Sequence, residues 1–305
     1  MVKKYDIEPR EPNDRYVGSN NRDIVIYAGD LAEAGQRSKA FLDLSDEFVL
    51  MEVGKRGSGK SYSMGALLES LGTKEVDTSI SKLQKRKGVL LLDPLDVHWT
   101  AMYPLCPDGP QEIKLQYKLI EKWHGLNTEK VNVNVWMPAG EISPHDPSSF
   151  KHYYIPVSSL SASDWCQLLR TDLVMEPRGQ LINETFRKVT ETGWSDNKGN
   201  HPPIPDYGIQ DLLDCIINDP DLTTFNPETA RSVVQPLNSF QRLPVFSSTT
   251  GTKLSDLIKR DHLSILCLNR LDPDLRTVIA SVIVKNMMKE RGKAAFLEKN
   301  LPLKN

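Results

Sequence analysis

The chain has 305 residues, of which 39% are hydrophobic and 26% charged, with a net charge of −2 and a pI near 6.3. That length carries one large or two ordinary domains, and the balance is that of a globular protein rather than a disordered or collagen-like one. There is no global basic field, and no apolar run reaches membrane-spanning length. The four cysteines, Cys106, Cys166, Cys215 and Cys267, are widely spaced without a C-x-x-C pair, which argues against a zinc site or a disulfide framework.

Residues 1 to 23 are polar and rich in Pro and Asn, and read as an extended arm without a secretory leader. The cytoplasm is the expected compartment. Asp23 to Ala28 reads as a short strand, and the apolar run Phe48 to Val53 as another. A helix is expected over Ser61 to Leu71. Lys82, Lys85, Arg86 and Lys87 mark a solvated linker, since short charge runs face water. Gly88 to Asp93 is an unbroken apolar run ending in an acid, the pattern of a parallel strand buried on both faces, and Pro94 stops it. Val131 to Met137 alternates strictly, which places it toward a sheet edge, and Tyr153 to Val157 is a further strand. From Ser161 the period becomes helical. Four helices are expected: from a Ser161 or Ser163 cap through Leu169, over Ile182 to Thr192, over Tyr207 to Asn218, and over Pro227 to Phe240 with a break at Pro236. Leu263 to Leu268 returns to strand. Asp272-Pro273 opens a long helix striped by Leu275, Val278, Ile279, Val282, Ile283 and Met287, closing at Arg291-Gly292.

Between the second strand and the first helix lies Gly54-Lys-Arg-Gly-Ser-Gly-Lys-Ser61, a complete G-x-x-x-x-G-K-S phosphate-binding loop in a strand-loop-helix context. Gly54, Gly57 and Gly59 let the backbone turn tightly and approach phosphates without a Cβ in the way. The successive N–H groups form an anion nest at the positive end of a helix. Lys60 is placed to reach the β- and γ-phosphates, and the Ser61 hydroxyl to ligate Mg²⁺. Gly54, Lys55, Arg56, Gly57, Ser58, Gly59, Lys60, Ser61 and Tyr62 make up the expected nucleotide contacts. Lys55 and Arg56 either face phosphates or sit solvated at the rim.

Phosphoryl transfer also needs a carboxylate near the metal and water. Asp93, at the carboxyl end of its strand, has two readings: a catalytic or metal-linked acid, or a turn former before Pro94. No Asp-Glu pair follows an apolar run. Arg231, Arg270 and Arg276 stand where an arginine finger could come from, but each reads better as a surface or cap charge. The six histidines form no ligand spacing. The aromatic stretch His98 to Tyr103 reads as packing rather than as a base-stacking platform.

The ordered set of the phosphate loop, Leu90 to Leu95, Ala230-Arg-Ser-Val233, Pro244-Val-Phe246, Leu254 to Leu257, Leu263 to Leu266 and Asp272 to Arg276 resembles the HerA/FtsK superfamily of DNA-pumping ATPases, the HerA branch in particular, over roughly residues 45 to 295. The resemblance implies an α/β P-loop NTPase fold, RecA/FtsK-like, with a mainly parallel sheet and flanking helices. Residues 1–44 would be an arm or reduced β-barrel, and 45–305 the ATPase core with a helical insertion at about 160–240. In that family the strand after the long helix ends in an Asp-Glu pair; here the sequence stops at Asn305, where that strand would begin, so the expectation is either a truncated or split motor or a nucleotide-binding remnant. The implied activity is ATP hydrolysis with Mg²⁺, moving or unwinding double-stranded DNA through a homo-oligomeric ring, expected to be a hexamer, alongside a nuclease or anti-phage effector and away from membranes. Lys60 and Asp93 are the expected catalytic residues, and Ser61 and Asp93 the metal-facing ones. The alternatives are a nucleotide-binding scaffold without turnover and a viral genome-packaging ATPase.

Overall fold

The computed structural model describes residues 8–9, 14–19, 21–30, 38–46, 49–72, 82–85, 87–103, 106–124, 131–247 and 251–300. The chain divides into two compact units, one of Met1–Val135 with Ile258–Leu266, the other of Trp136–Leu257 with Cys267–Asn305.

The first unit opens with a five-stranded sheet built from β1 (Glu8–Pro9), β2 (Arg15–Gly18), β3 (Ile24–Asp30), β4 (Lys39–Asp43) and, beyond the first helix, β5 (Lys82–Leu83), in the order β1-β2-β4-β3-β5. The strands of the polar opening are therefore paired, β2 parallel to β4 and antiparallel to β1. The period-two alternation of β3 sets both faces. Val25 and Tyr27 join Tyr16 and Phe41, whose rings stack 5.0 Å apart. Ile24 and Ile26 point the other way, onto Leu83 and onto Leu67 and Leu71 of helix α1 (Lys60–Gly72). The basic run is exposed at Lys85 and Lys87, as expected, but it opens with β5 and its ends are tied down. Lys85 pairs with Asp23 at 2.7 Å, and Lys87 donates to the carbonyls of Leu44 and Ser45. Arg86 lies outside the described residues.

The rest of the first unit supplies β6 (Val89–Asp93), α2 (Gln111–His124), the first half of β7 (Val133–Pro138) and most of β13 (Leu263–Cys267). A four-stranded parallel sheet runs β6-β13-β7-β8, where β8 is Lys151–Tyr153. Three expectations fail here. β6, expected to be buried on both faces, lies at the edge of this sheet and is only half-buried from Val89 to Leu92. β7 is an inner strand: the alternation ends at Asn134, and Val135, Trp136 and Met137 are all buried. Residues 49–53 form no strand, with Val49 87% and Met51 82% exposed, and Phe48 lies outside the described residues. An apolar run becomes a strand only where a neighbour completes its ladder, and no described strand pairs with this one.

The second unit pairs Trp136, Met137 and Pro138 of β7 with Lys151, His152 and Tyr153 of β8. It continues through β9 (Ile155–Pro156), α3 (Ala162–Leu168), α4 (Pro177–Arg187), a π-turn at Lys188–Thr192, the hairpin β10 (Trp194–Asp196) and β11 (Gly199–His201), α5 (Ile209–Asn218), α6 (Pro227–Gln241), β12 (Phe246–Ser247), α7 (Leu254–Leu257) and α8 (Pro273–Asn300). Ser161 caps α3 in a reciprocal capping box with Asp164, and the indole of the fully buried Trp165 donates to the Tyr207 hydroxyl, which donates to Leu160 O. Lys188 is buried between Asp219 and Asp221, at 2.9 and 2.7 Å. Two helix ends depart from expectation. α6 runs unbroken through Pro236, and α8 passes Arg291-Gly292 to Asn300. Gly292 has open space around it, so the helix-forming run from Lys293 to Lys299 extends the turn pattern at the cost of one glycine, about 1 kcal/mol.

Candidate nucleotide-binding site

The loop from Gly54 to Gly59 is an exposed bridge into α1. Its glycines are needed for different reasons. Gly57 and Gly59 sit at φ +79° and +92°, in the left-handed region, whereas a Cβ on Gly54 would meet Ser58 Oγ at 2.4 Å. The Ser58 N–H donates to Lys55 O at 3.2 Å and closes the turn. Gly59 O accepts the Ser63 N–H at 2.9 Å, which starts the helix. The N–H groups of the first helical residues, Lys60, Ser61 and Tyr62, therefore have no intrahelical acceptor and face the anion nest.

Lys60 Nζ donates to Gly54 O at 2.7 Å and to Lys55 O at 2.8 Å. The ammonium thus ties the beginning of the loop to its end, with its third proton unused. Lys55 and Arg56 are exposed and make no side-chain hydrogen bond or ion pair among the described residues, so their charge is free at the rim. Ser61 and Tyr62 are exposed, the Tyr62 ring to 68%. The helix behind them is anchored by Leu67, Leu68 and Leu71. Its last residue, Gly72, accepts the Asn132 N–H and leaves no room for a side chain against Val131.

Asp93 ends β6 with only 2% of its surface exposed. One carboxylate oxygen accepts the Leu95 N–H at 3.2 Å and the other the His98 N–H at 2.8 Å. The acid therefore closes the turn over residues 94–98, and each oxygen keeps a lone pair. The His98 ring lies against Gly65, close to where a Cβ would sit, so this turn flanks the second turn of α1. The structure brings Lys60 together with Gly54, Lys55 and Ser58, while the Asp93 hydrogen bonds go to its own turn. Sequence reasoning missed His98 as the partner of Asp93; the compact D-P-L-D-V-H stretch was its only local sign.

The arginines separate cleanly. Arg231 is exposed on α6. Arg270 grips Asp146 with both Nη atoms and donates to Glu141 O, clamping the loop after β7. Arg276 donates to the Asn269 and Leu271 carbonyls at the start of α8. The Arg270 hydrogen bonds hold the Asp146 carboxyl down at about 2, helped by the Ser143 N–H and opposed by burial. Its partner lies 124 residues away, beyond any local pattern.

No group of three or more His, Cys, Asp or Glu among the described residues could hold a metal ion alone. A hydroxyl at Ser61 beside a phosphate nest still suits Mg²⁺, which takes one or two protein oxygens and fills its octahedron with phosphate and water. No described helix is long and apolar enough to cross a membrane.

A parallel sheet flanked by helices and a glycine-rich loop opening α1 define a P-loop NTPase fold. Residues 27–287 match the family described as helicase HerA, central domain, and the chain belongs to that family. No curated protein sequence matches it.

Proposed function

We propose that the chain is an ATP-hydrolysing motor core that drives double-stranded DNA through a homo-oligomeric ring, with a nuclease or effector as its partner. The observation that carries this reading is the phosphate loop, already latched by Lys60, within the HerA central domain. In this reading Lys60 would turn its uncommitted N–H toward the β/γ-phosphates and neutralise their charge as a hydrogen-bond donor. Ser61 holds Mg²⁺, which supplies Lewis-acid stabilisation of the phosphate oxygens. The orphan N–H groups of the first turn of α1 bind phosphate oxygens, and Lys55 and Arg56 add positive field at the rim. Asp93, through its spare lone pairs, orders water around the metal.

The test is ATP turnover by the purified chain with and without duplex DNA, beside Lys60→Ala. The expected result is hydrolysis that DNA stimulates and Lys60→Ala abolishes. DNA that leaves turnover unchanged would refute the motor role. A second reading, nucleotide binding without hydrolysis, is favoured by one observation: both Asp93 oxygens are already engaged by its turn. Tight binding of ATP with no turnover under either condition would establish it.

A further inference from the structure

The second unit carries a groove of about 560 Å³ between the start of α4 and α6, lined by Arg178, Ser232, Gln235, Pro236, Ser239 and Phe240. It uses the side of α6 next to the buried stripe of Val233 and Leu237. Beneath it, the Phe240 ring lies 6.3 Å from Trp165 and 6.4 Å from Phe246, so one wall is rigid and aromatic.

Two features give the groove a specific hydrogen-bonding character. The Arg178 fork is half-committed: one Nη donates to Leu169 O at 2.6 Å, while the other has no partner among the described residues. A guanidinium fixed at one corner is pre-organised to receive a carboxylate at the other. Across the groove, Pro236 has no N–H to offer the Ser232 carbonyl one turn back, so α6 presents an acceptor that its own ladder leaves open. The Ser232 and Ser239 hydroxyls spend their protons on Thr229 O and Gln235 O. Arg178 thus gives a charged donor and Ser232 an acceptor.

The turn that leads into α4 is built as well. Asp172 accepts the Val174 and Met175 N–H groups at 2.9 and 2.7 Å, and holds these two side chains outward, 65% and 82% exposed. That turn is packed on the first turn of α4, where Gly179 has no space for a Cβ against Asp172 O. The turn itself is therefore fixed against the start of α4.

We propose that this groove docks an acidic peptide segment of a partner protein. A side-chain carboxylate sits on the open corner of Arg178, a neighbouring peptide N–H is given to the Ser232 carbonyl, and an apolar residue rests on Phe240. A phosphate backbone fits less well: Arg178 is the one cation lining the groove, whereas duplex binding gathers several.

The test is nuclear magnetic resonance of the ¹⁵N-labelled chain with two probes, acetyl-Glu-Phe-amide and acetyl-Gln-Phe-amide. The Glu probe should give saturable shifts at the Gly179, Ser239 and Phe240 amides, and the Gln probe roughly tenfold weaker ones, since charge-assisted bonds are about twice as strong as neutral ones. Arg178→Gln should cost about the same factor. Pro236→Ala returns a helical donor to the Ser232 carbonyl, so it should raise the melting temperature and still weaken the probe severalfold. That combination separates ligand binding from a structural role. Equal response to both probes, no saturation at these amides, a stronger response to a short DNA duplex, or shifts produced by raising the chain's own concentration would each overturn the proposal.

Discussion

Asp93 shows how one side chain can answer to two demands. Its buried carboxylate satisfies two backbone N–H groups of a turn whose Leu95 and Val97 are exposed, so removing it takes away the acceptor that closes the turn. Asp93→Ala should therefore cost about 2 kcal/mol in urea unfolding, and Asp93→Asn, which keeps one acceptor oxygen, about half of that. The proposed metal-shell role makes a separate demand. In Asp93→Asn the Mg²⁺ concentration that half-saturates turnover should rise, while ATP binding without metal stays the same. An unchanged Mg²⁺ requirement would make Asp93 a turn residue and nothing more. Both readings were visible in the sequence, because an Asp before Pro at a strand end suits either. The choice depends on where His98 N–H points, which only the folded turn specifies.

At the scale of elements, the clamp between Arg270 and Asp146 ties the end of β13 to the loop that follows β7. The folded-state pKa of Asp146 is lowered to about 2, chiefly by the Arg270 hydrogen bonds. A lowered carboxylate pKa means the folded state holds fewer protons, so this stabilisation is complete above the unfolded value of about 4 and fades as pH falls toward 2. Asp146→Asn should be less stable than the parent at pH 7, and the gap between their melting temperatures should close below pH 4. A gap that stays constant from pH 7 to pH 3 would show that the ionised pair contributes nothing. Neither partner stood out in the sequence, where Asp146 sat in a turn-rich stretch and Arg270 looked like a surface charge. Local patterns served better where one element decides its own fate. The Asp272-Pro273 start of α8 and the Ser161 cap of α3 appear as read, because capping needs only the next three residues. The inner place of β7 was misread because it is set by strands far away in sequence, whereas α8 outruns its expected end because the local run after Gly292 favours helix, and α6 continues through Pro236.

At the scale of the whole molecule, the run that precedes the phosphate loop is the main discrepancy between composition and structure. Single exposed hydrophobics are ordinary, but Val49, Leu50, Met51 and Val53 lie between 52% and 87% exposed within five residues of one another. Leaving that much apolar surface in water opposes solubility at roughly 25 cal/mol per Å². Covering it by association would relieve that cost next to the nucleotide site, which is where the proposed ring needs contacts that report on ATP. The G-x-x-x-x-G-K-S spacing and the helix after it were legible, whereas the fate of this run was not, since hydropathy marks a segment as buried without naming what buries it. If the ring reading holds, light scattering should find a 34.4 kDa species without nucleotide and a several-fold heavier one with Mg²⁺ and a slowly hydrolysed ATP analogue. Lys60→Ala should stay light under both conditions, because it loses the contact through which the nucleotide organises the loop. Polar replacement of Val49 and Met51 should prevent assembly while leaving the affinity of one chain for nucleotide intact. A mass that never changes with nucleotide would remove the ring from the proposal and leave the proposed nucleotide site to be tested by itself, since the loop and the Lys60 hydrogen bonds that close it lie within one chain.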